Sequence, residues 1–438
     1  MAMGGSIGTT LFINIDGGLA KGGPLSLLLG FAIYALILSC VNNCIAEMTV
    51  LHPAPGGFIR MAGKWVDDAF GFMARWNFFL YEALTVPFEI TALTMTLSFW
   101  RDDIPAGVVA AACIVSYSCL SVFAVKVYGE AEFWGSGGKV LLISILFTFT
   151  FVAMVGGNPQ HDAFGFRHWR DPGPMAEYLS AGDLGRFEGF LGPLWMASFT
   201  IVGPEYVTLI AAETKHPRTY VKKAFQTVFW RLLFQIRSSP FKIAMRNLQI
   251  SGLPHVMNAL LVTTIFSARN TYMYCASRSL YALSLEGRAP QILSKCTGQG
   301  VPIYCVLVTI CFPLLSLLQL GLINYFTMAV TYVFFYRACK AQGLIILFFG
   351  YGSFRAWDVP SFFPKYTMVL FAFVTFIFWK LVKQTKMVRP LEADLLWERP
   401  VVDAYERSTL EEPRGFWREM GEWIGVVRQK AEGLGQEA

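Results

Sequence analysis

The chain has 438 residues, 55% of them apolar and 15% aromatic, with a mean hydropathy of +0.47. Only 15% are charged, against ~25% in a soluble domain. That balance argues against a soluble enzyme or a nucleic-acid-binding module and describes an all-α polytopic membrane protein. The net charge of +6 sits in short loops, where basic residues set orientation.

A first apolar segment covers residues 4–19 and a second 24–46. No basic region and cleavage site precede them, so no removable signal peptide is expected. The loop after the second carries His52-Pro53-Ala54-Pro55-Gly56-Gly57 and then Arg60, Lys64 and Arg75, and is read as cytoplasmic. The third segment, 70–99, contains Glu82, Pro87 and Glu89; the fourth is 104–125 and the fifth 139–155. A polar loop, 156–189, with Asp171-Pro172-Gly173-Pro174, is read as an outside loop. The sixth segment, 190–212, holds Gly203-Pro204-Glu205 at its middle. Proline there breaks the helix ladder, and a carboxylate at mid-depth costs ~2.5–3.5 kcal/mol on insertion scales.

Loop charge then conflicts with span count. Basic residues from Lys215 to Lys223 are inside, and so are Arg288 and Lys295, with one long span, 253–285, between them. The stretch 224–236 offers ~10 apolar residues where ~20 are needed. The conflict recurs between Lys340 and the good final span 362–379, where only 344–350 is apolar. The nine cysteines are odd in number and form no CxxC pair, so they are read as buried thiols; the five histidines do not cluster. No metal site and no cofactor are expected.

The stretch GGSIGTTLF, residues 4–12, combines three glycines with Ser6, Thr9 and Thr10 inside an apolar segment. Small residues there either let two helices approach closely or open the backbone to hold a charged solute. Several motifs, in order, carry a resemblance that bears on this choice. GGSIGTTLF, EMTVLHPAPGGF (47–58), PFEITA (87–92), GEAEFW (129–134) before Lys139, SFTIVGPEYVTLIAAETKHPR (198–218), SARNTYMYCASRSLYALSLEGRAP (267–290) and LWERPVVDAYE (396–406) together resemble the fungal amino acid permeases of the amino acid–polyamine–organocation superfamily.

The resemblance implies a LeuT-like inverted-repeat helical bundle of twelve spans, of which this chain offers about nine or ten. It implies that the first and sixth spans break at mid-membrane and seat the substrate's amino and carboxylate groups on exposed backbone. Ser6, Ile7, Gly8, Thr9 and Thr10 would face the carboxylate, and Phe199, Thr200, Gly203 and Glu205 would line the sixth-span break. Glu89, Lys139 and Glu205 are proton-coupling candidates. Each keeps a plainer alternative: Glu89 as a helix-packing carboxylate, Glu205 as a structural one, and Lys139 as an interfacial residue that snorkels.

The chain also departs from the family pattern. The basic stretch that precedes the first motif in relatives is missing before Met1, and the seventh span near 232–238 and the eleventh near 344–350 look truncated. Thr10 and Arg269 stand where glycine is usual, and Gly135, Gly137 and Gly138 where bulkier residues are usual. The expected organisation is a membrane permease domain, 1–382, and a cytoplasmic tail, 383–438. The expected function is secondary active uptake of amino acids across the plasma membrane, coupled to protons, with the bilayer, the amino acid and the proton as partners and no nucleic acid. The alternative is a deletion-bearing, non-transporting paralogue or an amino acid sensor on the same fold; a membrane enzyme lacks any supporting motif.

Overall fold

The computed structural model describes residues 15–237, 253–318 and 359–408, apart from 55, 102, 124, 158–160, 164, 171–172, 201–203, 212–213, 215, 299, 395 and 398. These residues form helices and loops, with no strand among them. In chain order the helices are α1 (Ile15–Leu51), α2 (Gly57–Trp65), α3 (Asp68–Leu97), α4 (Ala106–Phe123), α5 (Val125–Met154), α6 (Arg167–Arg170) and α7 (Gly182–Thr200). They continue with α8 (Pro204–Ile210), α9 (Pro217–Arg237), α10 (Leu253–Leu285), α11 (Ile303–Cys311), α12 (Val359–Lys383) and α13 (Arg399–Ser408). Among the described residues, Gly17–Leu51, Asp68–Leu97, Gly137–Met154 and Tyr366–Lys383 are long and apolar enough to cross a membrane.

The 37 residues of α1 would make a rod of ~55 Å, too long for one ~30 Å hydrocarbon core. The run is divided at Gly23, whose φ of 77° is non-helical, with Pro24 behind it. This is the boundary expected between the first two apolar segments. Backbone groups freed there need partners, and the long loop supplies them. Leu25 N–H donates to Pro174 O (2.9 Å) and Ala176 N–H donates to Gly22 O (3.0 Å). Just beyond, α1 crosses α7 at very short range. A Cβ on Gly22 would lie 2.5 Å from Gly189 O, and one on Gly30 would lie 2.8 Å from Leu194 N. Small residues permit this approach.

Two apolar clusters form the interior. The first joins Leu27 and Phe31 of α1 to Leu142 of α5, Ala197 of α7, Val207 of α8 and Val221, Phe225 and Val228 of α9. The second joins Val86 and Ile90 of α3 to Tyr117 of α4, Tyr206 of α8 and Ile265, Ala268 and Tyr272 of α10. The short helix α8 therefore sits at the seam, with Val207 in one cluster and Tyr206 in the other. The fifth helix begins earlier than the expected 139–155, at Val125. Its Gly/Ser-rich stretch stays helical because it packs on α10: a Cβ on Gly135 would lie 2.7 Å from Ser267 Cβ.

One end of the bundle is tied by charge. Asp67 caps α3, accepting from Ala69 N–H (2.8 Å), and also takes Lys380 Nζ (2.6 Å) and Thr385 Oγ1 (2.7 Å). Asp68 accepts from Trp379 Nε1 (2.8 Å) and pairs with Arg288. Buried Arg75 pairs with Glu286 at 2.5 Å, and Arg288 reaches the same carboxylate at 3.3 Å. Residues 384–408 then run across this end. Val388 N–H donates to Val66 O (2.8 Å), and Asp394 pairs with Lys64 (3.6 Å) and accepts Trp65 Nε1 on its carbonyl (3.0 Å). Trp397 packs against His52 and Trp65, and Arg218 meets Asp403 (2.5 Å) and Glu406 (3.3 Å).

Burial pushes the Asp67 carboxyl up, but hydrogen bonds from Lys380, Thr385 and Ala69 N–H outweigh it and hold the group below its ordinary range. A carboxylate depressed in the folded state stabilises above the unfolded value of ~3.9, and that contribution is lost as pH falls through the folded value. Asp67→Ala is expected to lower stability in detergent by about 1–3 kcal/mol at neutral pH, the sum of a lost cap and lost charged hydrogen bonds. Thermal melts of the variant and parent should converge as pH falls below the depressed folded-state value; a gap that persists into strong acid would show that the loss is one of packing.

Candidate substrate site

Residues 201–203, in the middle of the sixth segment, lie outside the described residues. Helix α7 ends at Thr200 and α8 begins at Pro204, a residue suited to a first helical position because its missing N–H has no partner to lose. Thr200 is buried and its hydroxyl donates back to Met196 O (2.9 Å). Glu205, in the first turn of α8, is 7% exposed, and its carbonyl accepts Thr208 Oγ1 (2.7 Å). Next to it, the Tyr206 ring lies 6.2 Å from that of Tyr272 on α10. From the other side the loop before α2 presses on α8. Gly57 has a φ of 52°, and a Cβ there would lie 2.7 Å from Thr208 Oγ1 and 2.8 Å from Thr208 O. Only glycine supplies both that conformation and that clearance.

Glu89 on α3 is 1% exposed and its carbonyl accepts Arg269 Nη2 from α10 at 2.5 Å. Arg269 Nη1 donates to the Tyr117 hydroxyl of α4 at 3.0 Å, and the guanidinium lies 5.5 Å from the centre of that ring. Arg269 is fully buried, and its Nε has no acceptor. The unusual arginine thus joins three helices beside a candidate proton carrier. Sequence reasoning marked Arg269 only as a departure; the signal was a charged residue inside a 33-residue helix whose turns otherwise bury.

Glu89 and Glu205 are each followed in the chain by a member of the second cluster, Ile90 and Tyr206. Lys139 is also fully buried, but on α5, where Leu142 and Ile143 belong to the other cluster. Its burial places it in the interior and not at the interface. Phe199 lies in the last turn of α7. Ser6, Ile7, Gly8, Thr9, Thr10 and Gly203 lie outside the described residues, as does the stretch 344–350.

A junction between two helices, with a buried carboxylate in the first turn of the second, is the kind of place that holds a small solute inside a membrane bundle. The profile of the family described as amino acid permease matches residues 1–236 and 234–357. The general amino acid permease AGP2 of Saccharomyces cerevisiae is 40% identical over 414 residues, covering 82% of this chain and 68% of that protein. The dicarboxylic amino acid permease of the same yeast is 28% identical over 485 residues, covering 93% and 80%. The proline-specific permease of Emericella nidulans is 32% identical over 394 residues, covering 79% and 72%. A profile match along most of the chain, in a helical protein, means that the chain belongs to the amino acid permease family and is a multi-pass membrane transporter, not an enzyme.

Proposed function

We propose that this permease takes up amino acids across the plasma membrane with a proton, and that the seat lies at the Thr200–Pro204 break. The observation that carries the reading is Glu205, buried in the first turn after that break. In this reading Ser6, Ile7, Gly8, Thr9 and Thr10 face the substrate carboxylate, and Phe199, Thr200, Gly203 and Glu205 line the opposite wall. Glu89, Lys139 and Glu205 are the groups that exchange protons. The bundle is LeuT-like, with inverted repeats in residues 1–382 and residues 383–438 as a cytoplasmic tail. The relatives' names point to different amino acids, acidic in one case and proline in another, so the side chain selected is left to measurement.

A second reading has its own support. The family profile matches in two pieces that meet at 234–236, beside the shortened seventh span. One relative aligns over 485 positions, more than the 438 residues of this chain, so relatives carry internal residues that it lacks. A deletion-bearing paralogue, or an amino acid sensor on the same fold, would bind its ligand and not move it.

Proteoliposomes loaded with the purified chain separate the two. Uptake of a labelled amino acid that rises at acid external pH and collapses with a protonophore supports transport. Binding without accumulation supports the second reading. Glu205→Gln is expected to lower uptake about ten- to hundredfold, the worth of one charged hydrogen bond, and uptake that is unchanged would remove Glu205 from the seat. Arg269 adds a permanent positive charge to the same interior, and like charge at short range disfavours a cationic side chain. Arg269→Gly is expected to raise lysine uptake relative to alanine uptake by about tenfold; an unaltered ratio would take Arg269 out of substrate selection.

A further inference from the structure

Away from the sixth segment, a cleft of about 870 Å³ opens between the last third of α1 and the first turns of α9. That volume falls in the range of small-ligand sites. Asn42, Asn43 and Glu47 line one wall and Lys222, Phe225 and Gln226 the other. The spacings follow from helix geometry: Asn43 and Glu47 on α1, and Lys222 and Gln226 on α9, are four apart and so share a face. Phe225 is buried and forms the floor, while Glu47, Lys222 and Gln226 are exposed at the rim.

Asn42 is the unusual member. It is 3% exposed, and its Oδ1 accepts no hydrogen bond. A buried amide oxygen without a donor costs ~1–3 kcal/mol. Protein donors do not meet it, and it lines the cleft. Above it the two walls carry opposite charges, Glu47 on α1 and Lys222 on α9, and neither is engaged by another described residue. Asn42 and Glu47 are ~7.5 Å apart along the helix axis, and both line the same cleft.

We propose that this cleft binds a zwitterionic group, a primary ammonium joined by a short linker to an anionic oxygen group. The ammonium donates to Asn42 Oδ1 and to the Glu47 carboxylate. The anionic group accepts from Lys222 Nζ and the Gln226 amide. Two sources carry this chemistry: a free amino acid, or the ethanolamine or serine headgroup of a phospholipid in the adjacent leaflet. The cleft shares no residue with the Thr200–Pro204 break, so it stands or falls independently of the transport reading.

The discriminating feature is the N–H donor, which a trimethylated ammonium lacks. The full chain would be released from nanodiscs containing equal parts phosphatidylethanolamine and phosphatidylcholine, and its retained lipids weighed by native mass spectrometry. In parallel, labelled alanine and its N-trimethyl betaine would be compared by equilibrium dialysis in detergent. The primary amine of at least one pair is expected to be favoured by about tenfold. Glu47→Gln and Lys222→Met, both at exposed side chains, are expected to abolish that preference, as is Asn42→Leu, and Glu205→Gln to leave it intact. A preference in the lipid pair alone identifies the headgroup, and one in the dialysis pair alone identifies the free amino acid. Equal binding of the amine and its trimethyl counterpart in both pairs, a preference that survives Glu47→Gln and Lys222→Met, or one that disappears with Glu205→Gln would overturn the proposal.

Discussion

The crossing of α1 and α7 is the contact on which the other positions depend. At Gly22, Gly30 and Gly189 an added Cβ would strike backbone atoms and not the end of a flexible side chain, so no rotamer change relieves a substitution there. Because the two helices meet backbone to backbone, the end of α7 is held beside α1, and Thr200 is buried inside the bundle. The same crossing anchors the long loop before α7. A Cβ on Gly189 would lie 2.5 Å from Ala176 O, and Ala176 N–H caps Gly22 O. Three distant pieces of chain therefore share one small volume, and each supplies hydrogen bonds or clearance that the other two require.

Charge inside the bundle follows a second constraint. A charged group taken out of water costs several kcal/mol unless it is matched. Arg75 is matched by Glu286 at the end of α10, close enough to the loop face for Arg288 and Asp68 to extend the network. Arg269 is matched differently, by a phenol and a peptide carbonyl. Neither partner carries a full negative charge, so the positive charge of Arg269 is solvated by dipoles and persists in the interior. One network fastens helix ends; the other leaves a field beside Glu89.

Much of this was visible in the sequence, and the exceptions share a cause. Gly23-Pro24 announces a break by residue type alone, and it occurs. Gly135, Gly137 and Gly138 stand where bulkier residues are usual, yet the stretch is helical, and Ser267 on another helix occupies the space left at Gly135. Lys139 could have been interfacial and is buried, and Arg269 could have been a surface residue and is not. Asp67 and Lys380 gave no hint of each other at a separation of 313 residues. In each case local pattern was adequate, and what decided the outcome was a partner far along the chain. Helix α9 is a different failure. Counting apolar residues finds a remnant, while the period of Val221, Phe225 and Val228 on the first cluster marks an amphipathic helix.

The geometry also sharpens the conflict between charge and span count. Asp67 at the start of α3, Glu286 after the end of α10 and Arg218 at the start of α9 are all joined to the same end network or to the tail that crosses it. At the far end of α3, Trp100 Nε1 donates to His255 Nδ1 at 2.9 Å, and His255 stands in the first turn of α10. The chain thus leaves one end of the bundle at Arg218 and enters α10 at the other. Only α9 and residues 238–252 lie between. The 21 residues of α9 extend ~31 Å, about the thickness of a hydrocarbon core. Length is sufficient for a crossing; composition is not, because Lys222, Lys223, Arg231 and Arg237 punctuate the helix. What α9 lacks is apolar surface to show to lipid. The clustered lysines in the first turns, exposed beside the Asn42 cleft, are where that deficit is concentrated.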